Sequence, residues 1–213
     1  LILDPLILNQ SLKLIDWIYD ESMYGDRDIY RIKDIINSID QKQWTTNQWL
    51  VDTLETFYVK QHGSILIAGG WYGLLADILR KQYPSEDTEI LSVDMDNKTV
   101  EFGRILFDHS NVVFKSYDIT KTLHRYHRHD VVIVPSCEHI DNSDLCDFIR
   151  KKGDDALIVL QSNDDFNHPA HINCSPSLNH FVEYVRPNLL CGEILFEETL
   201  DMGNFNQFMV VAR

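Results

Sequence analysis

Five short, mainly apolar segments punctuate the middle of the chain, the first a continuous run: Ser64-Ile-Leu-Ile-Ala68, Glu89-Ile-Leu-Ser-Val93, Val112-Val-Phe114, Asp130-Val-Val-Ile-Val134 and Ala156-Leu-Ile-Val-Leu160. A strand with one wet face alternates apolar and polar residues; a run that is apolar at nearly every position is covered on both faces. Helical periodicity separates the runs, over Leu74 to Tyr83 (stopped by Pro84), Thr99 to Phe107, and about 143–151. Buried strands alternating with helices require right-handed crossovers and a parallel sheet between two helical layers. The ending breaks that rhythm. Leu189 to Phe196 and Asn206 to Ala212 read as two strands joined by a loop around Met202-Gly203-Asn204, too short for a crossover helix. That pair is expected to be antiparallel.

Residues 6–60 read as helices. Leu12, Ile15, Ile18 and Tyr19 share one face, and Ile29, Ile32, Ile35, Ile36 and Ile39 another, with Asp26 and Asp28 suited to start the second run. A third helix is expected to begin at Thr45-Thr46-Asn47, one of them capping it, and to carry Trp49, Leu50, Leu54 and Tyr58. The division is therefore a helical cap over 1–60 and a ligand-binding α/β domain over 61–213. Trp44 and Trp49 read as core residues joining the two, in preference to a lid.

With 44% hydrophobic residues the chain can bury a core, which excludes intrinsic disorder. Its 19 Lys and Arg against 33 Asp and Glu give a formal charge of −14, which disfavours nucleic acid and anionic membranes as partners. No stretch approaches the roughly 20 apolar residues of a membrane span. The apolar start holds Asp4 and Pro5 and lacks a cationic flank, so it does not read as a signal peptide, and it opens without Met, as a piece of a longer product would. Cys137, Cys146, Cys174 and Cys191 include no Cys-x-x-Cys pair, which points to a reducing cytoplasm.

The chemistry gathers at the expected strand ends. Ile65-Leu-Ile-Ala-Gly69-Gly70-Trp71-Tyr72-Gly73 lies where the first strand meets its helix, where glycine admits a ligand close to the backbone and a helix N-terminus offers free N–H groups. Asp94 ends the second strand, the place from which a carboxylate accepts both hydroxyls of a ribose, and Asp96 is read as the cap of the next helix. Asp118, after the third strand, either accepts from an adenine amino group or starts the turn into Thr120. Pro135-Ser136-Cys137-Glu138-His139 leaves the fourth strand, and the segment from Asn163 through His168 and His171 to Cys174 leaves the fifth. If those strands are neighbours, the two loops converge on the carboxyl edge of the sheet.

On the glycine turn, Asp94, Asp118 and the strand order, the chain resembles the class I S-adenosylmethionine-dependent methyltransferases across about residues 61–213. The resemblance implies a Rossmann-like, doubly wound, seven-stranded α/β sheet, mostly parallel with a C-terminal antiparallel hairpin, preceded by N-terminal helices. It implies S-adenosylmethionine as cofactor, held by Gly69, Gly70, Trp71, Gly73, Asp94, Met95, Asp118, Pro135 and Ser136. With Gly73 aligned as the last glycine of the family loop, Ile67 and Trp71 stand where that loop carries an acid and its middle glycine. The Gly69-Gly70-Trp71-Tyr72-Gly73 version, with the cysteine and histidine segments, looks like little-characterised methyltransferase-like proteins of tailed phages.

Methyl transfer is an in-line displacement with a neutral leaving group, so alignment dominates and a base serves only a protonated acceptor. Glu138 and His139 fit that catalytic role, with His171 and Asn163 on the acceptor side. The acidic rim made by Glu138, Asp164 and Asp165 favours a small neutral or cationic acceptor, or a basic protein segment. Cys137, His139, His168, His171 and Cys174 could meet around a metal, but His168-x-x-His171-x-x-Cys174 matches no closed zinc spacing, and no metal is assigned. The basic run from His124 to His129 reads as a solvated turn on the opposite edge. Three other readings remain: a dehydrogenase, disfavoured because the turn is not Gly-x-Gly-x-x-Gly; an aminopropyl transferase using the same cofactor; and a non-catalytic binding or assembly module.

Overall fold

The computed structural model describes residues 29–58, 63–107, 110–121, 128–151, 153, 155–190 and 192–213. Helices α1 (Ile29–Ser38) and α2 (Gln41–Phe57) precede β1 (Gly63–Ala68), α3 (Leu74–Gln82), β2 (Thr88–Asp94), α4 (Asn97–Leu106), β3 (Val112–Ser116) and β4 (Val131–Val134). A 3-10 turn (Cys137–His139) leads to α5 (Asn142–Arg150), β5 (Leu157–Asn163), α6 (Leu178–Val185), β6 (Ile194–Asp201) and β7 (Asn206–Ala212). The seven strands form one sheet in the order β3-β2-β1-β4-β5-β7-β6. Strands β1 to β5 pair in parallel, and β7 is antiparallel to both β5 and β6. The doubly wound sheet with a terminal hairpin is therefore the observed architecture.

The apolar runs work on both faces, as continuous burial requires. Ile65, Ile67, Ile133, Val159 and Val211 pack under α1 to α4, while Leu66, Val132, Val134, Ile158, Leu160 and Val210 pack under α5 and α6. Successive residues along each strand change sides, as the pleat dictates. Each fully buried Leu or Ile contributes about 1.5–3 kcal/mol. Leu50, Val51 and Leu54 of α2 belong to the same cluster as Ile65 and Leu79. Trp44 and Trp49 are half-buried against that core, and the Trp49 Nε1–H donates to Glu198 Oε2 at 3.1 Å. Trp49 thus ties helix to sheet, as the sequence suggested, but both rings lie at the margin of the core and not within it.

Three expectations need correction. Helix α2 starts at Gln41, not at Thr45: Asp40 is the cap, accepting the Gln43 N–H at 2.8 Å. Thr45 and Thr46 lie inside the helix with their hydroxyls bonded back to the carbonyls of Gln41 and Gln43, which removes their competition with helical geometry. Strand β6 begins at Ile194 and continues to Asp201. It is an edge strand whose middle residues are exposed, so pairing with β7 defines it and apolar content does not. Helix α6 escaped the reading altogether, although Ser177 caps it and Phe181, Val182 and Val185 are buried at helical spacing. The first apolar face (Leu12 to Tyr19) and the start at Asp26 and Asp28 lie outside the described residues.

Candidate functional site

Parallel pairing brings the ends of β1, β2, β4 and β5 to one edge, and the order reverses between β1 and β4, the position where open α/β sheets bind ligands. The β1–α3 turn is built for close approach. Gly69 has φ 82° and Gly73 φ 94°, both left-handed, and a Cβ on Gly69 would meet no atom within 4 Å. Trp71 is also left-handed, at φ 47°, an uncommon conformation for a bulky side chain that the surroundings must hold. Asp94 supplies the hold: its Oδ2 accepts the Trp71 N–H and its Oδ1 the Asp96 N–H, both at 3.0 Å. Burial pushes the Asp94 carboxyl up, and the backbone bonds work against that rise. A carboxylate has roughly four acceptor positions, so not all are taken and a ligand can still be bonded.

Asp96 caps α4 through the Lys98 and Thr99 N–H groups, as anticipated. It also pairs with Arg31 Nη1 at 2.9 Å, while the Tyr72 hydroxyl donates to Asp34 at 3.0 Å. These contacts dock α1 beside the glycine turn. Burial disfavours the Asp96 anion, but the Arg31 and backbone bonds outweigh it and leave the carboxyl below its ordinary range. Asp118 makes the turn: Oδ1 accepts from the Thr120 N–H and hydroxyl at 3.0 and 2.6 Å, and Oδ2 pairs with Lys121 at 2.7 Å. Met95 is 74% exposed at the tip of β2. Ile67 is fully buried between β2 and β4, so no acid reaches the site from that position.

The loops after β4 and β5 do converge. The Glu138 carbonyl accepts the Ile172 and Asn173 N–H groups at 2.9 and 3.0 Å, and Asn173 Nδ2 donates to the Ile140 carbonyl at 3.1 Å. Pro135 and Ser136 lead from β4 into the 3-10 turn, with Ser136 at its cap position. Glu138 is buried; its Oε2 has no partner among the described residues, and burial pushes the carboxyl up to about 8 against the effect of its own backbone N–H and the Asn163 amide. His139 Nε2 lies 4.0 Å from Glu138 Oε1, and the His139 and His171 ring centres are 4.8 Å apart. Burial lowers the pKa of both imidazoles; neighbouring rings add to the effect, and the backbone carbonyls facing them oppose it. Asn163, expected at the acceptor, is buried; its Oδ1 accepts the Asp165 N–H at 3.0 Å, and its amide lies near enough to Glu138 to favour the carboxylate.

Cys137 does not join this cluster: it is fully buried with Sγ turned to the Val134 carbonyl. Cys174 Sγ lies beside Nδ1 of His171 at 3.5 Å and bonds the Asp165 carbonyl. Beside His171, a cleft of about 260 Å³ is lined by Phe166, Ile172, Ser175, His180 and Tyr184. At the opposite edge the Arg128 carbonyl and Asp130 bond Ser64, so the described end of the basic run lies away from the site; His124 and His127 fall outside the described residues. Arg31 was missed because its partner Asp96 is 65 positions away, and no local pattern encodes such a pair. Among the described residues no helix is long and apolar enough to cross a membrane.

No protein-family model matches the sequence, and no curated protein matches it. Solved structures do match. A SAM-dependent methyltransferase from Aquifex aeolicus superposes with a TM-score of 0.63 at 14% identity, covering 88% of this chain and 98% of its own. The Burkholderia thailandensis 1,6-didemethyltoxoflavin-N1-methyltransferase, with bound 1,6-didemethyltoxoflavin and S-adenosylhomocysteine, gives 0.63 at 13% identity over 85% of each chain. The B. subtilis M1A22 tRNA methyltransferase TrmK gives 0.55 at 9% identity, over 79% of this chain and 64% of that one. On strand order, hairpin and superposition, the fold of this chain is that of the class I S-adenosylmethionine-dependent methyltransferases.

Proposed function

We propose that the protein is an S-adenosylmethionine-dependent methyltransferase that acts on a small-molecule or protein acceptor by direct in-line transfer. The observation that carries this reading is Asp94: it ties a left-handed glycine turn to the tip of β2 and keeps acceptor positions for a ribose. The open space over Gly69 suits a ligand backed against the chain. Gly69, Gly70, Trp71 and Gly73 would line the methionine end, Asp94 and Met95 the ribose, and Asp118 the adenine edge. Pro135 and Ser136 would face the transferred group. When bound, the cofactor supplies an electrophilic methyl group whose departure leaves a neutral thioether, so no acid is needed. The protein's task is alignment and exclusion of water. Glu138 and His139 would receive a proton from an acceptor that starts protonated, with His171 beside it and Asn163 beside Glu138.

The net charge of −14 favours a small or basic acceptor over tRNA, although one protein of similar fold is a tRNA methyltransferase. Free Cys137, Cys146 and Cys174 fit a cytoplasmic setting. A narrower kinship with tailed-phage methyltransferase-like proteins rests on the Gly69 to Gly73 loop and the cysteine and histidine segments. Calorimetric titration with S-adenosylmethionine and S-adenosylhomocysteine tests the reading: one equivalent of each should bind, and binding of neither refutes it. During turnover, S-adenosylhomocysteine as product supports methyl transfer, whereas methylthioadenosine would mean transfer of the 3-amino-3-carboxypropyl group.

A further inference from the structure

We propose that Glu138, His139 and His171 bind one divalent transition-metal ion, zinc foremost, beside the cleft that His171 borders. Each offers one ligand atom, and these atoms lie within 4.8 Å of one another. Around a tetrahedral zinc with bonds of about 2.0–2.2 Å the ligand atoms stand roughly 3.4 Å apart, so a closure of about 1.4 Å at most completes the set. His139, whose side chain is 44% exposed, has room to make it.

The hydrogen bonds behind the rings point the same way. Nδ1 of His139 faces the Ala170 carbonyl at 3.1 Å, and Nδ1 of His171 faces the Asp165 carbonyl at 2.8 Å. A carbonyl only accepts, so both rings carry their proton on Nδ1 and leave the Nε2 lone pair free. Metal-binding histidines are typically oriented in this way by their outer partners. Glu138 supplies the independent sign: it is 4% exposed, its Oε1 faces His139 Nε2 at 4.0 Å, and among the described residues its Oε2 is buried without a partner. Buried polar atoms are nearly always paired, and a cation would pair this one.

The same geometry excludes the neighbours. Nδ1 of His168 accepts the Ala170 N–H at 3.4 Å, so its proton sits on Nε2 and no lone pair is offered there. Cys174 lies on the Nδ1 side of His171, and Cys137 is turned into the core. Two imidazoles and one carboxylate leave coordination positions open, which is the pattern of reactive metal centres and not of closed structural ones. His171 also borders the cleft, so an acceptor hydroxyl or amine seated there could fill an open position and lose its proton to water more readily, the ion then standing in for Glu138 and His139 as the aid to deprotonation. That last role rests on the methyl-transfer reading; the metal site does not.

The test uses the purified full chain, stripped with a chelator and titrated with zinc chloride by calorimetry. One equivalent should bind at about micromolar Kd or tighter, with magnesium at least about 100-fold weaker because imidazole selects against it. His139→Ala and His171→Ala should each weaken zinc at least about tenfold, and His168→Ala less than about threefold. Glu138→Gln should match the ligand variants; if it fails to fold, the two histidine variants carry the result. No stoichiometric zinc binding, unchanged affinity in His139→Ala and His171→Ala, or an equal loss in His168→Ala overturns the proposal. Titration of the stripped protein with S-adenosylmethionine is separate, so either reading can fail alone.

Discussion

Replacing Asp94 by alanine probes both halves of its assignment. The substitution strips the acceptors from two backbone N–H groups, those of Trp71 and Asp96, each bonded at 3.0 Å. A hydrogen bond to a charged group contributes about 1.5–3 kcal/mol, but Asp94 is only half-buried, so water can reach part of what is exposed; a total of about 2–3 kcal/mol is expected. In urea, with a slope of about 1–3 kcal/mol/M, the midpoint should fall by roughly 1–2 M. The released turn also frees Trp71 from its left-handed conformation, so the cradle over Gly69 loses its shape. Affinity for S-adenosylmethionine should drop about 10- to 100-fold, equivalent to roughly 1.4–2.7 kcal/mol. Asp96→Ala is the control: it removes the cap of α4 and the Arg31 pair, costing about 0.5–2 kcal/mol of stability, with little effect on the ligand. Equal affinity in Asp94→Ala and the parent chain would refute the ribose assignment. Equal stability would refute the anchoring of the turn.

Two further outcomes follow from the same edge of the sheet. Asp96 titrates below the ordinary carboxylate range in the folded chain, so its contribution is present above about pH 4 and fades as pH falls through its folded pKa. Asp96→Asn should therefore flatten the stability profile between about pH 5 and 3 in urea titrations, and an unchanged slope would rule out the pair as an acid-sensitive contact. Gly69→Ala should cost about 1–2 kcal/mol, from the left-handed conformation alone, because its Cβ meets nothing within 4 Å. Gly73→Ala should cost visibly more, since its Cβ would sit 2.6 Å from the Phe114 ring; thermal melts showing equal losses would contradict the geometry.

The parallel sheet was legible because burial on both faces leaves a local mark: each of β1, β4 and β5 contains a run that is apolar almost throughout. The glycine turn and Asp94 were legible for a related reason, since a left-handed turn and a strand-end acid restrict residue type at fixed places in the chain. Edge strand β6 and the Asp40 cap were not, because pairing with β7 defines the first and the hydroxyls of Thr45 and Thr46 imitate a cap for the second.

By itself, then, the sequence determined the α/β class, the terminal hairpin and the two polar loops after β4 and β5. Only the tertiary structure decided which side chains meet. The adjacency of β4 and β5 brings Glu138 and His139 to His171, across 33 and 32 positions of chain, while Cys137 turns into the core and Cys174 lies on the Nδ1 side of His171. It also sets Arg31 against Asp96. Periodicity records which face of an element is buried, whereas the orientation of an imidazole or the solitude of a buried carboxylate oxygen depends on backbone atoms contributed by another loop.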